Sequence, residues 1–186
     1  MKELIKKVTN EILDSIDMSD YKFINCLEHQ DYYQAKSSLD QYRLLSYVSS
    51  LYSDIKILDV GTFKGCSSLA FSFNKNNKVY SFNLLDQLDL NYIPNNIEFI
   101  VDNILNGKYD SLIKESKVIL LDTYHDGSFE KEFYDYLIKL GFNGVLILDD
   151  IYLNLEMFNF WNLIEMEKID MTNVGHKSGT GVVFFN

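Results

Sequence analysis

Six side chains able to bind ligands or carry protons stand at the ends of apolar runs: Asp59, Asn83, Asp102, Asp122, Asp149 and Asp150. In open α/β sheets, ligands bind beyond the carboxyl ends of the strands. Each of these residues alone reads as a solvated loop residue, and their joint placement is what points to a site. His125 follows Asp122 in VILLDTYHDG. The ordinary pKa of histidine suits it to take a hydroxyl proton near neutral pH. A second concentration of chemistry is IKILDVGTFKGCSS, which contains Asp59, Gly61, Thr62, Phe63, Gly65 and Ser67. The glycines let the chain turn sharply and let a ligand approach main-chain N–H groups. A helix starting there attracts a carboxylate or phosphate, and Asp59 can accept from an ammonium. The dinucleotide fingerprint Gly-x-Gly-x-x-Gly fails because position 63 is Phe. The phosphate loop fails because no Gly-Lys-Ser/Thr follows.

The elements that must position these residues alternate along the chain. Strands are expected at Ile55–Val60, Lys78–Asn83, Ile97–Val101, Lys117–Asp122 and Gly144–Leu148. A helix carries Phe129, Phe133, Leu137 and Leu140 on one face, with Gly141 as its C-cap. Another spans Glu156 to Glu165. The tail, Ile169–Val174 and Val182–Phe185 around Gly179-Thr180-Gly181, reads as two strands joined by a turn. Before Ile55 the sequence is helical. Leu4, Ile5, Val8, Ile12, Leu13 and Ile16 share one face, and a second helix carries Leu39, Tyr42, Leu45, Val48 and Leu51. Both read as a cover over one edge of the sheet. The pattern indicates an α/β fold with a mainly parallel sheet, in one domain: residues 1–54 as helical cover and 55–186 as core.

Composition narrows the function. Of 186 residues, 47% are hydrophobic and 24% charged, ordinary for a globular chain. A net charge of −10 argues against a nucleic-acid partner. No apolar run is long enough to cross a bilayer. The first residues, MKELIKKVTNEILDSI, are too charged for a signal peptide. Cys26 and Cys66 make no metal pattern, and a reducing cytoplasm is the simplest setting. His29 reads as solvated and Trp161 as packed on the sheet. His176, Lys177 and Ser178 lie where a glycine-rich hairpin can carry them over the pocket.

LDVGTFKG fits the acid-x-Gly-x-x-x-Gly motif of class I S-adenosylmethionine-dependent methyltransferases. GTFKGCSS resembles the small O-methyltransferase branch, with its macrocin-type sugar enzymes and catechol-type enzymes. VILLDTYHDG resembles the branch's IDGDH segment, and GVLILDDIY its GGxxxxDD segment. The resemblance covers about residues 40 to 186. It implies a Rossmann-like, doubly wound, seven-stranded sheet whose last strand is antiparallel, with N-terminal helices that help form the substrate pocket. It implies S-adenosylmethionine as cofactor, bound by Asp59, Gly61, Thr62, Phe63, Gly65 and Ser67.

Typical members carry an acid after the second strand for the ribose hydroxyls. This chain has Asn83, an acceptor without charge, and Asp86 follows closely. Asp102 matches the position near the adenine. Asp122, Asp149 and Asp150 match the Mg²⁺ ligands of metal-dependent members, hard oxygens suited to that ion. Asp122 can instead hold the cofactor's ammonium. His125 falls where catechol-type members have a lysine base and sugar enzymes a histidine. The expected activity is O-methylation of a small hydroxylated molecule, a sugar or another metabolite, with Mg²⁺ assistance and homodimer formation left open. The competing expectation is a methyltransferase-fold protein that has lost catalysis and serves as a binding or assembly module, which Asn83 favours.

Overall fold

A computed structural model describes residues 2–19, 36–90 and 92–186. Cys26 and His29, the first read as a non-ligand cysteine and the second as solvated, lie outside the described residues. Helices α1 (Lys2–Ile5), α2 (Asn10–Asp14) and α3 (Lys36–Ser50) precede the sheet. Then follow β1 (Lys56–Val60), α4 (Cys66–Phe71), β2 (Lys78–Asn83), β3 (Ile97–Val101), α5 (Asp110–Glu115) and β4 (Ser116–Leu121). The chain ends with α6 (Ser128–Leu140), β5 (Gly144–Asp149), α7 (Leu155–Leu163), β6 (Lys168–Asp170) and β7 (Thr180–Phe185).

The seven strands lie in the order β3-β2-β1-β4-β5-β7-β6. β1 pairs in parallel with β2 and β4, and β4 with β5. β7 is antiparallel and slots between β5 and β6. Strand order reverses between β1 and β4, which opens the crevice where such sheets bind ligands. β4 lies between β1 and β5, so the ends of β1, β4 and β5 are brought side by side.

The period of two sorts the strand side chains into two cores. Ile57, Val79, Val118, Leu120, Val145 and Ile147 pack with Leu44, Leu45 and Val48 of α3. Leu58, Val60, Phe82, Ile119, Leu121, Leu146 and Leu148 pack with Phe133 and Leu137 of α6 and Phe160 and Trp161 of α7. Burial on both faces explains why these strands are near-continuous apolar runs rather than alternating ones.

Three expectations are corrected. The N-terminal stretch is not one helix: Thr9 caps α2, its hydroxyl accepting from the Ile12 N–H at 3.5 Å, and splits the run in two. Ile5, Val8 and Leu13 are buried, while Leu4 and Ile12 are exposed. The N-terminal residues cover a face of the sheet rather than an edge, since they share the core of Ile57 and Val79. The tail strand is shorter than expected, because residues 171–179 form a loop between β6 and β7. The β2–β3 connection, residues 84–96, carries no helix among its described residues, and its Leu84, Leu85 and Gln87 line the crevice.

Candidate active site

β1 delivers the chain into a turn built on three left-handed residues: Gly61 (φ 109°), Phe63 (φ 43°) and Gly65 (φ 93°). Gly61 is required by packing. A Cβ there would lie 1.6 Å from the Asp122 carbonyl oxygen at the end of β4. At Gly65 a Cβ would come 2.8 Å from Leu88 and 2.9 Å from Leu90, which fold over the turn from the β2–β3 loop. The expected free N–H groups are largely used. The Gly61 and Thr62 N–H groups both donate to the Phe82 carbonyl, at 2.9 and 3.0 Å, and that of Gly65 donates to Thr62 at 2.7 Å. These glycines therefore shape the crevice more than they present donors to it.

The expected placement of Asp59 in the crevice is corrected as well. It does not face the crevice but is fully buried beneath the turn. One carboxylate oxygen, Oδ2, accepts from Ser67 and Ser81, each at 2.9 Å, and from Ser68. The other, Oδ1, has no hydrogen-bond partner. Burial pushes its pKa up to about 6 against the pull of the three hydroxyls. Asp59 thus fastens α4 and β2 under the glycine turn.

A cavity of about 770 Å³ opens above the strand ends. Gly61, Thr62, Phe63, Ser67, Asn83 and Asp102 line one side, and Asp122, Asp149 and Asp150 the other. Gln41, Tyr42 and Leu45 of α3 close it. Asp86 borders a separate recess instead. Asn83 is held by its own loop, its Nδ2 donating to the Leu85 carbonyl at 2.8 Å and to Gln87 Oε1 at 3.1 Å. Asp102 accepts from Tyr109 at 2.7 Å and Lys108 at 3.2 Å, which holds its pKa below the usual range.

At the far end the acids alternate with two histidines. His125 Nε2 lies 3.3 Å from Asp122 Oδ1 and 3.5 Å from Asp150 Oδ2. His176 Nδ1 lies 3.0 Å from Asp150 Oδ1 and 3.4 Å from Asp149 Oδ1. Ser178 donates to Asp150 and Gln41 to Asp149, the latter at 3.2 Å. His125 and Asp150 both have left-handed backbones, with φ 55° and 58°. Such strain concentrates at functional sites. His125 does not itself line the cavity; Asp122 and Asp150 stand in front of it.

The expected metal set of Asp122, Asp149 and Asp150 is also changed. The side chains that converge within 4.8 Å of one another are Asp149, Asp150 and His176, while Asp122 is drawn to His125. His176, expected on the tail hairpin over the pocket, lines the cavity and takes part in this cluster, a ligand role its position in the hairpin does not announce. Gln41, which donates to Asp149 and whose Oε1 accepts from Thr180 at 2.8 Å, carries no sequence signal.

The charges in this chain set one another. Hydrogen bonds donated to Asp149 and then to Asp150 raise the His176 pKa to about 10. Burial, followed by the charge of Asp122, pushes Asp149 up to about 6. Burial pushes Asp150 up, but hydrogen bonds from His176 and Ser178 and the two imidazoliums hold it below the usual range. Burial lowers His125, but Asp122, Asp150 and Asp149 outweigh this and raise it.

A pH prediction follows from His176. Its folded pKa, about 10, exceeds the ordinary 6.5. The folded chain therefore holds more protons than the unfolded one in that window, and stability falls as pH rises through it. Melting temperatures in a chelating buffer should decline from pH 6.5 towards 10, and His176→Gln should flatten the decline. An equal slope in both proteins would refute the pairing.

No family model matches the chain, and no curated protein sequence does. Solved structures do match. The S-adenosylhomocysteine-bound methyltransferase PaMTH1 of Podospora anserina superposes with a TM-score of 0.62 at 12% identity, covering 100% of this chain and 96% of that one. The O-methyltransferase of Bacillus cereus, in complex with S-adenosylhomocysteine, gives 0.56 at 15% identity, with 99% and 100% covered. The Streptomyces achromogenes O-methyltransferase TomG, in complex with S-adenosylmethionine and involved in tomaymycin synthesis, gives 0.57 at 14%, with 96% and 92% covered. The chain therefore shares the Rossmann-like, seven-stranded fold of these solved structures. Among the described residues no helix is long and apolar enough to cross a membrane.

Proposed function

We propose that this protein is an S-adenosylmethionine-dependent methyltransferase acting on the oxygen of a small hydroxylated molecule. One observation carries the reading: a single cavity joins the glycine turn and the ends of β2 and β3 to the acid–histidine chain at the ends of β4 and β5. Its volume, about 770 Å³, suits small-molecule binding, for which sites run from roughly 300 to 1,000 Å³. The structural neighbours PaMTH1, TomG and the Bacillus cereus enzyme, which bind S-adenosylmethionine or its product, support the choice of cofactor.

In this reading the turn, Asn83 and Asp102 would hold the nucleoside of the cofactor, and Asp122 lines the same cavity. The sulfonium makes the methyl a good electrophile; the protein must place an oxygen in line and remove its proton. The proposed acceptor of that proton is the Asp122–His125 pair, Asp122 facing the cavity and His125 behind it. Asp149, Asp150 and His176 are the residues that would hold a divalent ion. Two oxygens and a nitrogen fit Mn²⁺ or another transition ion better than Mg²⁺, which prefers an all-oxygen shell. Such an ion would act as a Lewis acid on the acceptor hydroxyl.

S-adenosylhomocysteine should bind with a dissociation constant on the order of micromolar, about −8 kcal/mol. Calorimetry and melting curves test this. No heat and no melting shift at millimolar ligand would overturn the reading. Asn83 gives a further expectation. In Asn83→Asp a charge-assisted bond to the ribose gains about 1 kcal/mol, but loss of the bond to the Leu85 carbonyl costs about the same. Affinity should change by no more than a few fold; tightening beyond that would show the Leu85 bond to be dispensable.

The neutral residue at Asn83 also favours the non-catalytic reading. Product binding at that affinity, without turnover of any acceptor from a broad panel of phenols, sugars and alcohols, would select it.

A further inference from the structure

The His125 main chain is held from both sides by side chains that belong to two different helices. Its N–H donates to Glu130 Oε1 at 2.8 Å, and the same oxygen takes the Thr123 hydroxyl at 2.9 Å. Its carbonyl accepts from Asn154 Nδ2 at 2.7 Å. Glu130 lies in the first turn of α6 and is fully buried. Asn154 is the N-cap of α7, its Oδ1 accepting from the Met157 N–H at 2.8 Å. The two helix starts are pressed together here: a Cβ on Gly127 would lie 2.8 Å from the Glu156 carbonyl oxygen.

A buried carboxylate is a costly way to secure a loop, because burial of a charged or polar group must be offset by its bonds. The second oxygen of Glu130 has no hydrogen-bond partner, so that offset is incomplete. The group it holds is a non-glycine residue with φ 55°, which relaxes to an ordinary conformation unless its surroundings prevent it.

We propose that Glu130 and Asn154 are positioning residues that clamp the His125 peptide in its left-handed conformation and so place the imidazole between Asp122 and Asp150. The consequence for methyl transfer rests on the function proposed above; the clamp itself does not. Each residue offers a variant that separates the clamp from plain stability. Asn154→Asp and Asn154→Ser both keep an oxygen for the N-cap, which Asp and Ser serve about as well as Asn, but neither keeps the amide donor to the His125 carbonyl. Glu130→Gln keeps the acceptor for the His125 N–H, whereas Glu130→Ala removes it.

The test is nuclear magnetic resonance of the full chain, following the His125 amide and ring signals. In Asn154→Asp and Asn154→Ser the ring signals should move towards those of a solvent-exposed histidine while the melting temperature stays near that of the parent. Exchange of the His125 amide hydrogen should quicken at least about tenfold in Glu130→Ala and little in Glu130→Gln. Methyl transfer should fall about tenfold or more in the two Asn154 variants, with the affinity for S-adenosylhomocysteine unchanged. Unchanged ring signals in both Asn154 variants would overturn the clamp, as would loss of amide protection in Glu130→Gln equal to that in Glu130→Ala. Failure of the parent protein to bind S-adenosylhomocysteine would instead refute the function, and the resonance results would still decide the clamp.

Discussion

Gly61→Val is expected to abolish both the folded site and product binding. The added Cβ would lie 1.6 Å from the Asp122 carbonyl oxygen, far inside contact distance. Neither side can retreat easily. The Gly61 N–H is bonded to Phe82 of β2, and the Asp122 N–H to the Val60 carbonyl, at 2.9 Å each. Moving Gly61 therefore strains β1 against both neighbours in the sheet. The residue's φ of 109° is a further cost for a β-branched side chain. Together these should cost at least about 4 kcal/mol, among the largest effects of single substitutions. Denaturant unfolding of Gly61→Val and Gly61→Ala checks this. A variant with parental stability would show that the turn has more room than its geometry allows. The motif's first glycine is thus required by the chain's own packing, before any ligand is considered.

The second large effect is expected at His125. His125→Ala should slow methyl transfer by roughly 100-fold or more, a usual loss for a positioned proton acceptor. The pH profile carries the sign. The acids around His125 raise its pKa above 6.5 despite burial. The imidazole accepts a proton only when neutral, so activity should climb with pH, with a midpoint above 6.5, and His125→Ala should lose that limb. A chelator should lower activity and Mn²⁺ restore it if Asp149, Asp150 and His176 hold an ion. Full activity in excess chelator would remove the metal and leave the Asp122–His125 pair to act without it. Full activity of His125→Ala would remove the base.

The placement of His125 at the site is only partly local. It lies three positions beyond Asp122, so their proximity is local and readable. Its position behind Asp122 and Asp150 depends on a left-handed peptide pinned by Glu130 and Asn154. Nothing in the local sequence announces Asn154 as a partner of His125, since α6 and β5 lie between them in the chain.

Local rules were sufficient for much of the rest. Apolar runs such as Ile57–Val60 and Val118–Leu121, separated by glycine and polar turns, specify the strands within a residue or so of where they lie. Acids at the ends of those runs are legible because a strand's end is a local property. Gly141 as a C-cap, with φ 68°, is equally local. What the sequence alone could not decide is which ends meet, and which side chains face outward there. Asp59 carries the motif's acid, yet three serines from α4 and β2 turn it into a buried fastener. Asp122 and His176 exchange places as the third partner of Asp149 and Asp150, because β7 runs antiparallel beside β5 and brings the loop before it over that strand's end. These are contacts between distant parts of the chain. They are chosen by how the strands pair and the helices pack, which the residue pattern of any single segment does not encode.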